Sequence, residues 1–199
     1  MPTNLGDYGL DRQALAGPSS GQPQVLFFHG TTWSSKHWPE LYWRELAEKL
    51  VEREIGVQLP WGNAEEKARA ERIAEGLLRV QVLPSLSLAD MAGVVAGAQA
   101  CVAVDTGLGH LAAALDVPCL SLFGPTDSAL TGAYGPSQVH LVSDFPCAPC
   151  LQKTCQHLPT DEEARQFDLQ REQPLCFTRV APDNVFERLQ KLLADHGAI

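Results

Sequence analysis

Residues 101–126 read CVAVDTGLGHLAAALDVPCLSLFGPT, and this stretch decides the fold. An apolar run from Cys101 to Val104, entered from Ala100, ends at Asp105; Thr106-Gly107-Leu108-Gly109-His110 then leads into the helix-like LAAAL. A second apolar run, Cys119 to Phe123, follows Asp116-Val117-Pro118 and ends in Gly124-Pro125-Thr126-Asp127. Each run reads as a buried strand closed by a polar turn. In a parallel sheet both turns lie on the carboxyl edge, where open α/β sheets bind ligands and helix N-terminal amides can hold an anion. Asp105, Thr106, Gly107 and His110 are therefore candidate site residues on a buried scaffold.

The same alternation extends toward the N-terminus. Val25-Leu26-Phe27-Phe28 is a short apolar strand, and the hydroxyl-rich loop His29 to Pro39 follows it. From Glu40 to Arg53 the residues Trp43, Leu46, Ala47 and Leu50 share one helix face. Gly56 stops that helix, Val57 to Leu59 is a second strand, and Asn63 is positioned to cap a helix carrying Ala70, Ile73, Ala74 and Leu77 at i, i+3, i+4, i+7. A strand at Val80 to Leu83 precedes a helix at Ser87 to Ala98, whose Ser87-Leu88-Ala89-Asp90 start has the spacing of a capping box. Toward the C-terminus, His140-Leu141-Val142 reads as a last strand, about 144–178 as an irregular insertion, and Pro182 to His196 as an amphipathic helix. Parallel neighbours need crossover connections, so this succession predicts an α/β fold: a Rossmann-like parallel sheet with helices on both faces.

Composition narrows the function. The chain has 199 residues, 45% of them hydrophobic, enough for a substantial core. Lys plus Arg number 15 against 24 Asp plus Glu, a net charge of −9 that argues against bulk binding to nucleic acid. No apolar run reaches the roughly 20 residues of a membrane span, and MPTNLGDYGLDRQ lacks the regions of a secretory signal, so a cytoplasmic chain is expected. Residues 1–23, rich in Gly, Pro, Ser and Gln, have linker composition, and a chain opening on a linker is expected to be the second of two joined parts; residues 24–199 form the domain. Of six cysteines, Cys101 and Cys119 lie in predicted strands as small core residues. Cys147, Cys150, Cys155 and Cys176 form C-x2-C-x4-C and a distant fourth, which favours free thiols or a metal site over disulfides in a cytosolic protein. Free reduced thiols are the reading adopted, with tetrahedral zinc as the alternative.

At the end of the first strand, His29-Gly30-Thr31-Thr32 with Lys36 offers two hydroxyls, a close-approach glycine and a cation, which suit a phosphate or pyrophosphate. The pattern is neither a Walker A loop nor G-x-G-x-x-G. Glu66, near a helix start, reads by itself as a solvated charge complementing the helix dipole. His110 reads as a general base, a phosphate donor or a packing residue, and Trp33, Trp38, Trp43 and Trp61 read as packing, although Trp33 and Trp38 lie in the candidate site loop.

HGTTWSSKHWPE (29–40), LPWGNAEEKARAERIAEG (59–76), VLPSLSLADMAGVVAGA (82–98), VDTGLGHLAAALDVP (104–118) and LFGPTD (122–127) together resemble the C-terminal half of glycosyltransferase family 9, the lipopolysaccharide heptosyltransferases. GDYGLDRQAL (6–15) resembles the segment joining that family's two domains. The resemblance implies the C-terminal domain of a GT-B glycosyltransferase that binds ADP-heptose, the acceptor Kdo2-lipid A being received by an N-terminal domain. It implies that Thr31, Thr32 and Lys36 hold the donor phosphates, that Glu66 contacts the ribose, that Leu86 lines the adenine pocket, and that Asp105, Thr106, Gly107 and His110 complete the site. The implied reaction is inverting transfer of heptose to Kdo in inner-core biosynthesis at the cytoplasmic face of the bacterial inner membrane. No cofactor is required. Lys36 and Asp105 would stabilise the transition state, while the catalytic base belongs to the N-terminal domain, so this chain alone is expected to bind donor without transferring it. The alternatives are a free-standing nucleotide-sugar binding module and the heptosyltransferase II branch.

Overall fold

A computed structural model of the chain describes residues 8–17 and 23–198. Six parallel strands, β1 (Gln24–Phe28), β2 (Gly56–Leu59), β3 (Val80–Val82), β4 (Ala100–Val104), β5 (Cys119–Phe123) and β6 (Gln138–Val142), form one sheet in the order β3-β2-β1-β4-β5-β6. The order reverses at β1 and β4, whose register pairs Phe28 with Ala103, so the crevice beyond their carboxyl ends is the topological switch point. Helices α2 (Glu40–Glu52), α3 (Ala64–Ala74), α4 (Leu88–Gly97) and α5 (Gly107–Ala114) carry the crossovers between β1 and β5; α8 (Pro182–Asp195) returns across the sheet.

Residues of β1 alternate between two cores, as the period of two requires. Val25 and Phe27 join Trp43, Leu46 and Ile73 on the α2, α3 and α8 side, whereas Leu26 and Phe28 join Met91, Val95 and Ala112 on the α4 and α5 side. Strands β4 and β5 are buried on both faces, hence their uninterrupted apolar runs. Caps fix where the flanking helices begin: Asn63 accepts the Glu66 N–H, and Ser87 with Asp90 forms a complete capping box, each worth about 1 kcal/mol.

Of the linker composition at 1–23, residues 1–7 and 18–22 lie outside the described residues. The stretch between contains α1 (Arg12–Leu15), whose Arg12 guanidinium donates to the carbonyls of Ala96, Ala98 and Asp116. These carbonyls lie at the C-terminal ends of α4 and α5, where a cation is favoured.

The insertion at 144–178 is irregular for most of its length, yet it contains α7 (Asp161–Gln166), a single turn with a Thr160–Glu163 capping box, and a 3-10 helix at Leu175–Arg179 that buries Leu175, Cys176 and Phe177. A Cβ on Gly124 would stand 2.8 Å from the Cys176 Sγ and 3.0 Å from the Phe177 ring, so only glycine lets this 3-10 helix seat against the end of β5. Trp38 anchors the same segment by donating from its indole Nε1 to the Val180 carbonyl at 2.8 Å.

Candidate functional site

The loops after β1 and β4 meet at the switch point. Thr31 Oγ1 donates to the Asp105 carbonyl at 3.3 Å, stitching the two loops together. Lys36 closes a short 3-10 helix (Ser34–Lys36) and places its Nζ 2.8 Å from Asp105 Oδ2, with both side chains largely buried. Thr131, at the end of α6 (Ser128–Thr131), donates to the same oxygen at 3.0 Å. The Lys36 ammonium also lies over the Trp33 ring, 4.4 Å from its centroid, a cation–π contact that fixes its height above the loop. Thr32 is exposed beside this cluster.

Thr106 caps α5 without a side-chain hydrogen bond of its own; its carbonyl accepts the Gly109 N–H at 3.1 Å, and the Gly107 and Leu108 amides stand at that helix N-terminus, where an anion is favoured. His110 is exposed on the same first turn.

Beside this polar corner lies a cavity of about 310 Å³, bounded by Gly30, Trp61, Glu66, Leu86, Met91 and Leu108. Trp61 Nε1 donates to the Leu83 carbonyl at 2.6 Å, which holds its ring as a wall. The Glu66 carboxylate accepts the Gly62 N–H at 2.7 Å and lies against Gly30, where a Cβ would stand 2.6 Å from the carboxyl carbon. Glu66 thus sits at the seam between an apolar cavity and a cationic, hydroxyl-rich loop. Such a sequence of surfaces can take a flat apolar group, a diol and a charged group in that order. Gly30→Ala should displace the Glu66 carboxylate while leaving the fold intact, because the obstructed group is the free end of a flexible side chain. Loss of one charge-assisted contact predicts about a tenfold weaker ADP affinity with an unchanged melting temperature, measured by calorimetry; an unchanged affinity would remove Glu66 from the ligand.

Two histidines underlie the loop. His29 is wholly buried, and no partner reaches either ring nitrogen in hydrogen-bond geometry. Burial, then the Arg69 charge, lowers its pKa from 6.5 to about 4, only partly offset by the nearby Pro60 carbonyl. His37, whose Nδ1 is 3.0 Å from an Arg69 nitrogen, is lowered by the same two causes in the same order.

The structure therefore brings Thr31, Thr32, Lys36, Asp105, Thr106 and Gly107 to one corner, Glu66 and Leu86 to the adjoining cavity, and His110 to the rim. Thr131, Met91 and Leu108 were not expected there: Thr131 reaches Asp105 only through tertiary packing, and the apolar pair carries the same periodicity as core residues. The tryptophans divide. Trp38 and Trp43 are core, whereas Trp61 walls the cavity and Trp33 supports Lys36. All six cysteines are free, and among the described residues no group of three or more His, Cys, Asp or Glu side chains could hold a metal ion.

The fold defines a Rossmann-like α/β domain of the kind found in GT-B glycosyltransferases. Residues 5–161 match the model of glycosyltransferase family 9 (heptosyltransferase), and the chain belongs to this family. It is 65% identical over 193 residues to lipopolysaccharide heptosyltransferase 1 of Pseudomonas aeruginosa, an alignment covering 97% of this chain and 54% of that protein. The solved structure of E. coli heptosyltransferase WaaC with ADP superposes with a TM-score of 0.68 at 45% identity, over 71% of this chain and 45% of that one. WaaC with ADP-2-deoxy-2-fluoro heptose gives 0.64 at 44% identity, over 70% and 43%. The chain spans about half the length of the curated relatives it matches.

Proposed function

We propose that this chain is the donor-binding part of a heptosyltransferase that moves L-glycero-D-manno-heptose from ADP-heptose to Kdo of Kdo2-lipid A. The observation that carries the reading is Glu66 at the seam between the apolar cavity and the Lys36–Asp105 corner. Adenine enters between Leu86, Leu108 and Trp61, and the ribose diol donates to Glu66. The diphosphate lies along Thr31, Thr32 and the amides of α5. Its arrival competes with Asp105 for the Lys36 ammonium, so the cation is positioned before the donor binds.

As the glycosidic bond breaks, negative charge grows on the departing ADP while the anomeric carbon becomes cation-like. Lys36, the threonine hydroxyls and the helix amides oppose the first, and the Asp105 carboxylate faces the second; preorganised donors of this kind do not have to reorient as the charge forms. The base that removes the acceptor proton is assigned to a second domain. Attack from the face opposite ADP inverts the anomeric centre. The reaction takes place at the cytoplasmic face of the inner membrane; no helix among the described residues is long and apolar enough to cross it. ADP-heptose is a substrate in this scheme, and no cofactor enters it.

Fusing the N-terminal half of the P. aeruginosa relative to this chain tests the reading. The fusion should transfer heptose from ADP-heptose to Kdo2-lipid A, and the chain alone should not. A folded fusion that binds ADP-heptose without transferring would favour a nucleotide-sugar binding module instead.

A further inference from the structure

Asp105 Oδ2 takes two donors, Lys36 Nζ at 2.8 Å and Thr131 Oγ1 at 3.0 Å, so both contacts fall on one carboxylate oxygen and Oδ1 takes part in neither. The donors differ in setting. Lys36 is largely buried in the loop after β1, whereas Thr131 comes from α6, after β5, and is exposed. The strand order places α6 in the crevice. Trp61 and Leu86 follow β2 and β3, the Thr31 loop and Asp105 follow β1 and β4, and α6 follows β5, the next strand along. From β2 to β5 is three strand spacings, about 14 Å along the carboxyl edge. A ligand with its base at β2 and its diphosphate at β1 and β4 therefore carries whatever it bears next toward α6.

Although α6 is a single turn, both of its ends are held. Asp127 caps it by accepting the Ala129 N–H at 2.9 Å. Gly132, at its other end, lies so close to the His140 ring of β6 and to the Ser128 carbonyl that a Cβ there would meet both. Thr131 is thus carried on backbone seated against the last strand.

A threonine hydroxyl has one proton to give and two lone pairs to accept with. Asp105 takes the proton, the Asp127 carbonyl at 3.4 Å being the more distant acceptor, and among the described residues nothing donates to Oγ1 in return. An unfilled acceptor on an exposed residue, beside a carboxylate, repels a phosphate and suits a neutral group rich in O–H donors. That chemistry is a sugar's.

We propose that Thr131 is a specificity-determining residue that binds the sugar: its hydroxyl, oriented by the proton it gives to Asp105, accepts an O–H of the sugar that the diphosphate carries. This role rests on the donor assignment made above and gives the far end of that ligand its own reader. The base is recognised beyond β2 and β3, and the sugar beyond β5. A site built to hydrogen-bond a substrate hydroxyl discriminates strongly against ligands that lack it.

Calorimetry on the purified chain tests this by comparing ADP with ADP-L-glycero-D-manno-heptose in the parent, Thr131→Val and Thr131→Ser. Valine keeps the shape of threonine without its hydroxyl and would stand at an exposed position, so the fold should hold, as a melting temperature will show. Thr131→Ala carries the same comparison if the valine variant does not fold. Thr131→Val should raise the Kd of ADP-heptose about fivefold more than that of ADP, the scale of one neutral hydrogen bond, while Thr131→Ser keeps both within about twofold of the parent. Equal rises for the two ligands would overturn the sugar contact, because Thr131 would then act only through Asp105. So would a ratio of affinities that Thr131→Val leaves unchanged, or a serine variant as weak as the valine one. A folded parent that binds neither ligand would instead contradict the donor assignment itself, and this role would fall with it; the parent titration alone tells the two failures apart.

Discussion

Replacing Lys36 with alanine should weaken ADP binding by about 1.5 to 3 kcal/mol, roughly ten- to hundredfold in Kd, the scale of a charge-assisted hydrogen bond. Two effects combine. The diphosphate loses its cation, and Asp105, whose side chain is 8% exposed, keeps the Thr131 hydroxyl but loses its ion pair among the described residues. An unpaired buried carboxylate also destabilises the fold, by up to about 3 kcal/mol. The double variant Lys36→Ala/Asp105→Asn separates them: it should regain most of the stability and part of the affinity, because the carboxylate that would repel the diphosphate is gone. Equal ADP affinity in Lys36→Ala and the parent would remove the cation from the site.

The second large effect is on pH. His29 binds its proton at 6.5 when unfolded and at about 4 when folded, so between those values the unfolded chain holds more protons. Its contribution is fully present above pH 6.5 and is lost progressively as pH falls toward about 4. The depressed pKa corresponds to about 3 kcal/mol over that window, with His37 adding in the same direction. Chemical denaturation from pH 7.5 to 4.5 should show this slope, flattened in His29→Leu with the His37 part remaining. A parent slope no steeper than that of His29→Leu would mean that His29 protonates without cost. Because His29 immediately follows β1 and precedes Gly30, acid should loosen the donor loop before it melts the outer helices.

The sheet was legible because its central strands are apolar throughout and each ends in a polar turn. That contrast places Asp105 and the Thr31 loop on one edge. Caps at Asn63 and Ser87 were legible for a local reason: their partners lie three residues away. Glu66 was not legible from its own surroundings. Only the family resemblance gave it a ribose, since a carboxylate in a first helical turn is ordinarily solvated, and what distinguishes this one is its contact with Gly30, 36 positions earlier in the chain. Thr131 had no signal at all, being joined to Asp105 across 26 residues. The cysteine segment was read as irregular, and most of it is. Its buried residues, Phe145 and Leu175 to Phe177, are too few and too scattered to show a period, and the seat of the latter depends on the absent side chain of Gly124.

The adenosine diphosphate site proposed above draws its contacts from this chain. Calorimetric titration of the purified chain with ADP, and with UDP as control, tests it most directly. ADP should bind at one site and UDP much more weakly, the cavity between Trp61, Leu86 and Leu108 being filled by a purine and only partly by a pyrimidine. A folded chain that gives no heat with ADP, or binds both nucleotides equally, would contradict the assignment of that cavity.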